Sequence, residues 1–228
     1  MPPSCSGSGL TIREIPLSDR NAADGGRVAV IVAHPDDEVL WCGGLLLSRP
    51  RWEPFVACLC RGRDPDRAPR FRRVLDRLGA RGAMGDLDDG PDQDPLPKGQ
   101  VRALILDLLP GRDFDLILTH SAQGEYTRHR RHEETAAAVR ALWRDGTLRT
   151  GALWSFAYED GGGTRLPRAE AGASLCFPLP EAVWAEKYRL IREEYNYAES
   201  SWEARTTPRS EAFHRLAGPG PAQKEARP

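Results

Sequence analysis

Lysine is almost missing from this chain: Lys98, Lys187 and Lys224 are the only three in 228 residues, although Lys and Arg together number 32. Arginine therefore carries nearly all the positive charge, a skew of the kind genomic codon usage produces. An arginine-rich patch must be discounted accordingly before it is read as a binding surface. The formal net charge is only -1, which gives no support for a nucleic-acid or membrane-surface protein. No segment approaches the apolar length of a membrane span, and the N-terminus lacks the basic start and apolar run of a signal peptide. No CxxC pair occurs among Cys5, Cys42, Cys58, Cys60 and Cys176. Cys58 and Cys60 alternate along an expected strand, should share one face, and read as packing. These absences make a reduced, cytoplasmic setting the expectation. Nucleotide-binding fingerprints are missing too, since neither GxGxxG nor GxxxxGK[ST] follows the first apolar run.

What the chain does have is alternation. Short β-rich apolar runs at 28–33, 55–60, 115–119 and 152–157, with a weaker one near 82–86, read as strands buried on both faces. Helical periodicity fills the intervals at 38–48, 68–78, 98–109, 133–144 and 181–195; Phe71, Val74, Leu75 and Leu78 make one apolar stripe. The expected fold is a single-domain, three-layer αβα sandwich with a Rossmann-like, mostly parallel sheet over residues 27–216. Residues 1–26 and 217–228, rich in Gly, Pro, Ser and Ala, read as loose ends.

The first strand runs directly into His34, Pro35, Asp36, Asp37 and Glu38. In open α/β sheets ligands bind beyond the carboxyl ends of strands, where the strand order reverses. Three carboxylates there repel one another unless a divalent cation offsets them, and an imidazole with carboxylates suits zinc. The plainer alternative makes Asp36 and Asp37 helix-capping residues. A second edge, after the strand at 115–119, holds three of the five histidines, His120, His129 and His132. His129 and His132 share a face if the helix starting near Glu133 extends back one turn. His120 reads as a satisfied strand-end histidine, His214 falls in the tail region with no role, and Trp41, Trp143, Trp154 and Trp184 read as core or interface.

With HPDDE after the first strand and Gly124-x-Tyr126 followed by His129-x-x-His132, the chain resembles the zinc-dependent LmbE/PIG-L family of N-deacetylases over roughly residues 27–145. The resemblance implies that His34, Asp37 and His132 bind Zn2+ or another divalent transition metal and that Asp36 is the general base. It implies that His129 orients substrate or stabilises an oxyanion, with Tyr126 as a helper. It also implies a small-molecule substrate, an N-acetylated amino sugar such as an N-acetylglucosaminyl conjugate; the charge balance and the lack of an apolar span separately make no nucleic acid and no membrane insertion the expectation. The chain departs from the family's usual His-Pro-Asp-His in having Arg130 and Arg131 between the histidines, and Thr127-Arg128 adds one residue after the tyrosine. Arg128, Arg130 and Arg131, with Arg61 and Arg63 after the second strand, are candidate contacts for an anionic substrate group; the alternative, in a chain this rich in arginine, is a solvated face. The rival reading is a non-catalytic metal- or sugar-binding module, which has no use for a spare carboxylate such as Asp36.

Overall fold

The structure, a computed structural model, describes residues 26–127 and 129–217. In chain order the first elements are β1 (Arg27–Val32), α1 (Asp37–Leu47), β2 (Glu53–Cys60), α2 (Arg67–Leu78), β3 (Arg81–Leu87), α3 (Lys98–Leu108), β4 (Asp113–Thr119) and α4 (Arg130–Arg144). There follow β5 (Arg149–Phe156), a small hairpin of β6 (Tyr158–Glu159) and β7 (Arg168–Ala169), β8 (Leu175–Pro178), α5 (Glu181–Arg189), a π turn (Leu190–Glu194), α6 (Trp202–Thr206) and β9 (Ser210–Leu216).

Every residue of β1 after the first is buried, because an apolar run without polar alternation has no face to offer water and takes the centre of a sheet. The main sheet runs β3-β2-β1-β4-β5-β9-β8. Its first five strands are parallel, and β9 and β8 close it antiparallel. Val28, Val30 and Val32 pack with α1, α2 and the π turn, whereas Ala29 and Ile31 pack with α3 and α4. This is the three-layer α/β architecture expected. The strand order reverses between β1 and β4, so the segments leaving their carboxyl ends, 33–37 and 120–132, meet at the switch point. Among the described residues no helix is long and apolar enough to cross a membrane.

Three expectations need correction or a boundary. His214 is not in a tail: it lies on β9, with Nε2 2.9 Å from Glu170 Oε2. Cys58 and Cys60 do not share a face, because the β2–β3 register shifts between them and Cys60 turns to the opposite core. The loose ends expected at 1–26 and 217–228 fall almost wholly outside the described residues.

The antiparallel extension is locked to the site-bearing helix by a buried charge pair. Glu211 on β9 takes Lys187 Nζ at 2.6 Å and the Gly44 and Leu45 amides of α1 at 2.7 and 2.6 Å. Glycine at position 44 lets the two elements meet closely, since a Cβ there would stand 2.5 Å from the Leu179 methyls, which would have to move, and 3.1 Å from Glu211 Oε1. Glu211→Ala strands the Lys187 ammonium and two amides in the core. The expected loss is about 3–5 kcal/mol of stability, read by denaturant unfolding; a loss below about 1 kcal/mol would mean the pair is not what fastens β9.

Candidate metal centre and active-site cleft

Beyond β1 the chain turns sharply. Asp36 occupies the position before α1 with φ 129°, a backbone that L-residues rarely adopt and that costs about 1–3 kcal/mol. Its amide donates to Glu38 Oε2 at 3.1 Å, and its carbonyl accepts the Val39 and Leu40 amides at 3.0 and 2.8 Å. The Asp36 side chain makes no capping hydrogen bond, so the capping alternative does not account for it. Its Oδ2 instead accepts the Tyr197 hydroxyl.

Asp37 is held from three directions. Oδ1 accepts Trp41 Nε1–H at 3.0 Å, and Oδ2 accepts the His34 amide at 2.8 Å. The same Oδ2 lies 3.3 Å from His34 Nδ1 and 3.4 Å from His132 Nε2, and those two nitrogens are 3.2 Å apart. A tetrahedral zinc with bonds of about 2.05 Å requires ligand-to-ligand edges of about 3.3–3.4 Å, so the triangle fits a zinc-class ion with its fourth position open.

Each ring is oriented by a carboxylate on its far nitrogen, the usual support for a metal-ligating histidine. His34 Nε2 is 3.1 Å from Asp89 Oδ1, and His132 Nδ1 is 2.6 Å from Glu125 Oε2. Arg61 fixes Asp89 in turn, through Nε and Nη2 to Oδ2 at 2.9 and 2.8 Å. Glu125 is fully buried and also accepts the Ser121 amide and His120 Nδ1–H. Burial pushes its pKa up, but His120 and His132 outweigh that and hold it at about 2. Glu125→Gln should weaken zinc binding roughly 10–100-fold, the usual effect of losing such a support; competition with a chelator measures it, and unchanged affinity would remove Glu125 from this role.

His120 stacks on His132 with ring centroids 3.9 Å apart. Burial lowers its pKa, but the Glu125 and Asp37 charges prevail and raise it to about 9. Against that, the Ala33 amide donates to His120 Nε2 at 3.0 Å, which a protonated ring cannot accept. The hydrogen bond has defined geometry, and a cation among the ligands draws off the Asp37 charge, so the neutral Nδ1–H form is the one that fits. Its Nε2 lone pair is then already engaged, so His120 stays a support.

The two adjacent carboxylates are driven apart. Burial raises Asp36 well above the usual carboxylate range, and the Asp37 charge adds to this. Burial acts the same way on Asp37, but its neighbours, the His132 ring first among them, hold it well below. Such divergence separates a proton carrier from a permanent anion. His129 precedes α4 and stacks on His132 at 4.5 Å. Burial, then the neighbouring His132 and His34, lower its pKa to about 3. The ring is neutral at pH 7, and its buried Nδ1 has no protein partner.

These groups open into a cavity of about 500 Å3 lined by Asp36, His129, Tyr126, Tyr197, Trp202 and Glu203, among others. The Tyr126 ring stands edge-on to His129 and against Trp202 at 4.7 Å. Of the arginines expected here, Arg61 lines the cavity, whereas Arg63, Arg130 and Arg131 lie elsewhere. Arg131 is buried and grips Glu134, Asp94 O and Asp88, so its guanidinium braces the acidic loop after β3. Arg130 is exposed, and Arg63 extends into solvent beside Asp86. Arg128 lies outside the described residues. The cavity's own arginines are Arg61 and Arg67, and Arg67 sits over the Tyr197 ring at 4.5 Å.

Comparison with known proteins bears on the fold and the family. Two solved structures share the fold: the zinc-inhibited form of teicoplanin deacetylase Orf2, at 17% identity and TM-score 0.54 over 83% of this chain and 97% of that one, and a deacetylase–teicoplanin complex, at 15% identity and TM-score 0.54 over 84% and 99%. An uncharacterized protein of Acanthamoeba polyphaga mimivirus is 25% identical over 119 residues, 44% of this chain. The chain spans about half the length of that relative, 52%. A family comparison matches residues 29–143, from the middle of β1 through α4, to PIG-L, described as GlcNAc-PI de-N-acetylase. That stretch contains every residue of the ligand triangle and both carboxylates that orient it, and it is half of the sequence: the chain belongs to the PIG-L family.

Proposed function

We propose that the protein is a metal-dependent N-deacetylase that hydrolyses the acetamide of an N-acetylated amino sugar, taken as an N-acetylglucosaminyl small-molecule conjugate, to acetate and a free amine. The observation that carries this reading is Asp36, a buried carboxylate that neither caps its helix nor belongs to the ligand triangle. A binding module needs no such group.

His34 Nδ1, Asp37 Oδ2 and His132 Nε2 would hold a zinc-class ion. Such an ion supplies Lewis acidity, polarising an amide carbonyl and drawing the pKa of a water toward about 7. Asp36 accepts the proton of the attacking water as its oxygen bonds to the acetyl carbon. Its Oδ2 is engaged by Tyr197, which leaves Oδ1 for that proton. The neutral His129 ring donates to the carbonyl oxygen as charge gathers there. Asp36 then returns the proton to the nitrogen as the carbon–nitrogen bond breaks. Tyr126, Tyr197 and Trp202 supply aromatic lining for a sugar, and Arg67 and Glu203 polar lining. A cavity of about 500 Å3 suits a small conjugate.

The test is a set of N-acetylglucosaminyl conjugates differing in aglycone, incubated with zinc-loaded protein. Acetate and amine should appear one for one from at least one conjugate and disappear on chelation. No release from any of them would remove the amino-sugar reading.

A further inference from the structure

The turn of Cys60 away from Cys58 places a thiol where the proposed chemistry does not use it. The Cys60 thiol, one His34 ring nitrogen and one Asp89 carboxylate oxygen all lie within 4.8 Å of one another, and Asp89 stands at His34 Nε2, the nitrogen that faces away from the ligand triangle. His34 Nε2 and Asp89 Oδ1 are 3.1 Å apart. Thiolate, imidazole and carboxylate together suit zinc and softer divalent cations. His34 and Asp89 line the cavity, so an ion has a route in. We propose that Cys60, His34 and Asp89 form a second, inhibitory site for thiophilic divalent cations, Cd2+ or excess Zn2+, that competes with the first site for His34.

The competition follows from the ring. A neutral imidazole has one lone pair free for a metal; a His34 that ligates through Nδ1, the nitrogen facing the triangle, must carry its proton on Nε2, where Asp89 Oδ1 stands 3.1 Å away to accept it. A cation at Nε2 moves that proton to Nδ1, 3.3 Å from Asp37 Oδ2, where it forms a hydrogen bond and His34 ceases to be a ligand of the first set. Cys60 releases its thiol proton to solvent, and no oxidant or reductant is involved. Asp89 keeps Oδ2 on Arg61 and gives up the 3.4 Å contact from Gln93 Nε2 to Oδ1. The Arg61 charge opposes the incoming cation, which makes this the weaker site, filled only when metal is in excess.

The inhibition rests on the deacetylase reading; the binding does not. Metal-free protein is titrated with Co2+ and with Cd2+, following thiolate-to-metal charge-transfer absorption in the ultraviolet. The band should appear in the parent and in His132→Ala, which dismantles the first set. It should be absent in Cys60→Ser, which retains the buried thiols of Cys42 and Cys58. Asp89→Asn should require about tenfold more metal for the same band, so the conclusion does not depend on Cys60→Ser folding. In turnover, excess Cd2+ should slow acetate release by the zinc-loaded parent about tenfold or more, and Cys60→Ser by less than about twofold. No band in the parent, or the same band in folded Cys60→Ser, overturns the site. A parent that shows the band but releases no acetate from any conjugate overturns the deacetylase reading instead.

Discussion

Asp36→Asn is expected to leave the bound metal in place and cut acetate release by about two to four orders of magnitude, the usual worth of a general base. The substitution preserves shape and still offers an oxygen to the Tyr197 hydroxyl, so the φ 129° turn and the ligand triangle beyond it should persist. What disappears is a proton acceptor. The strained backbone is maintained by Glu38, whose carboxylate takes the Asp36 amide with one oxygen and the Tyr195 hydroxyl with the other. Metal content and turnover measured on the same preparation separate the outcomes. Loss of metal would make Asp36 a ligand, and near-parent turnover with metal bound would make it neither ligand nor base.

His34→Ala and His132→Ala should each abolish zinc retention by the first ligand set and, with it, activity. Either removes one of three donors and leaves two, the buried Asp37 carboxylate and one imidazole. The loss of affinity should exceed the roughly 10–100-fold expected when only an orienting carboxylate is removed. Zinc content after dialysis against a weak chelator is the measurement, with His120→Ala as the comparison that retains metal. In the parent, affinity should also fall as pH falls, because the ligating nitrogens bind protons in competition with the ion. Full retention in both ligand variants would refute the assignment.

The sequence made the parallel half of the sheet legible because β1, β2, β4 and β5 are apolar runs separated by helical stripes, and burial on both faces leaves that mark. The β8 and β9 strands were not legible. They are short, and β9 carries Glu211, His214 and Arg215 in seven residues; the buried partner that makes Glu211 tolerable, Lys187, is 24 positions away. At the site, the structure brings His34, Asp37 and His132 together because β1 and β4 are neighbours. Glu125 sits inside the Gly-x-Tyr signature, where a carboxylate between two histidine segments is a signal the sequence does offer. Asp89 was hidden among the acids of the loop after β3, and Tyr197 is brought to Asp36 across 161 positions, which no local spacing reports. The arginines misled for the opposite reason. Their density drew attention to 128–131, yet Arg131 is consumed in bracing that acidic loop.

Anomalous diffraction at the zinc edge, from crystals given one equivalent of zinc, tests the central claim most directly. The account predicts one peak bonded by His34 Nδ1, Asp37 Oδ2 and His132 Nε2, with the Asp36 carboxylate beside it and unbonded to it. A peak held by His120 with Asp37 and His132, or by His129 with His34 and His132, would contradict it.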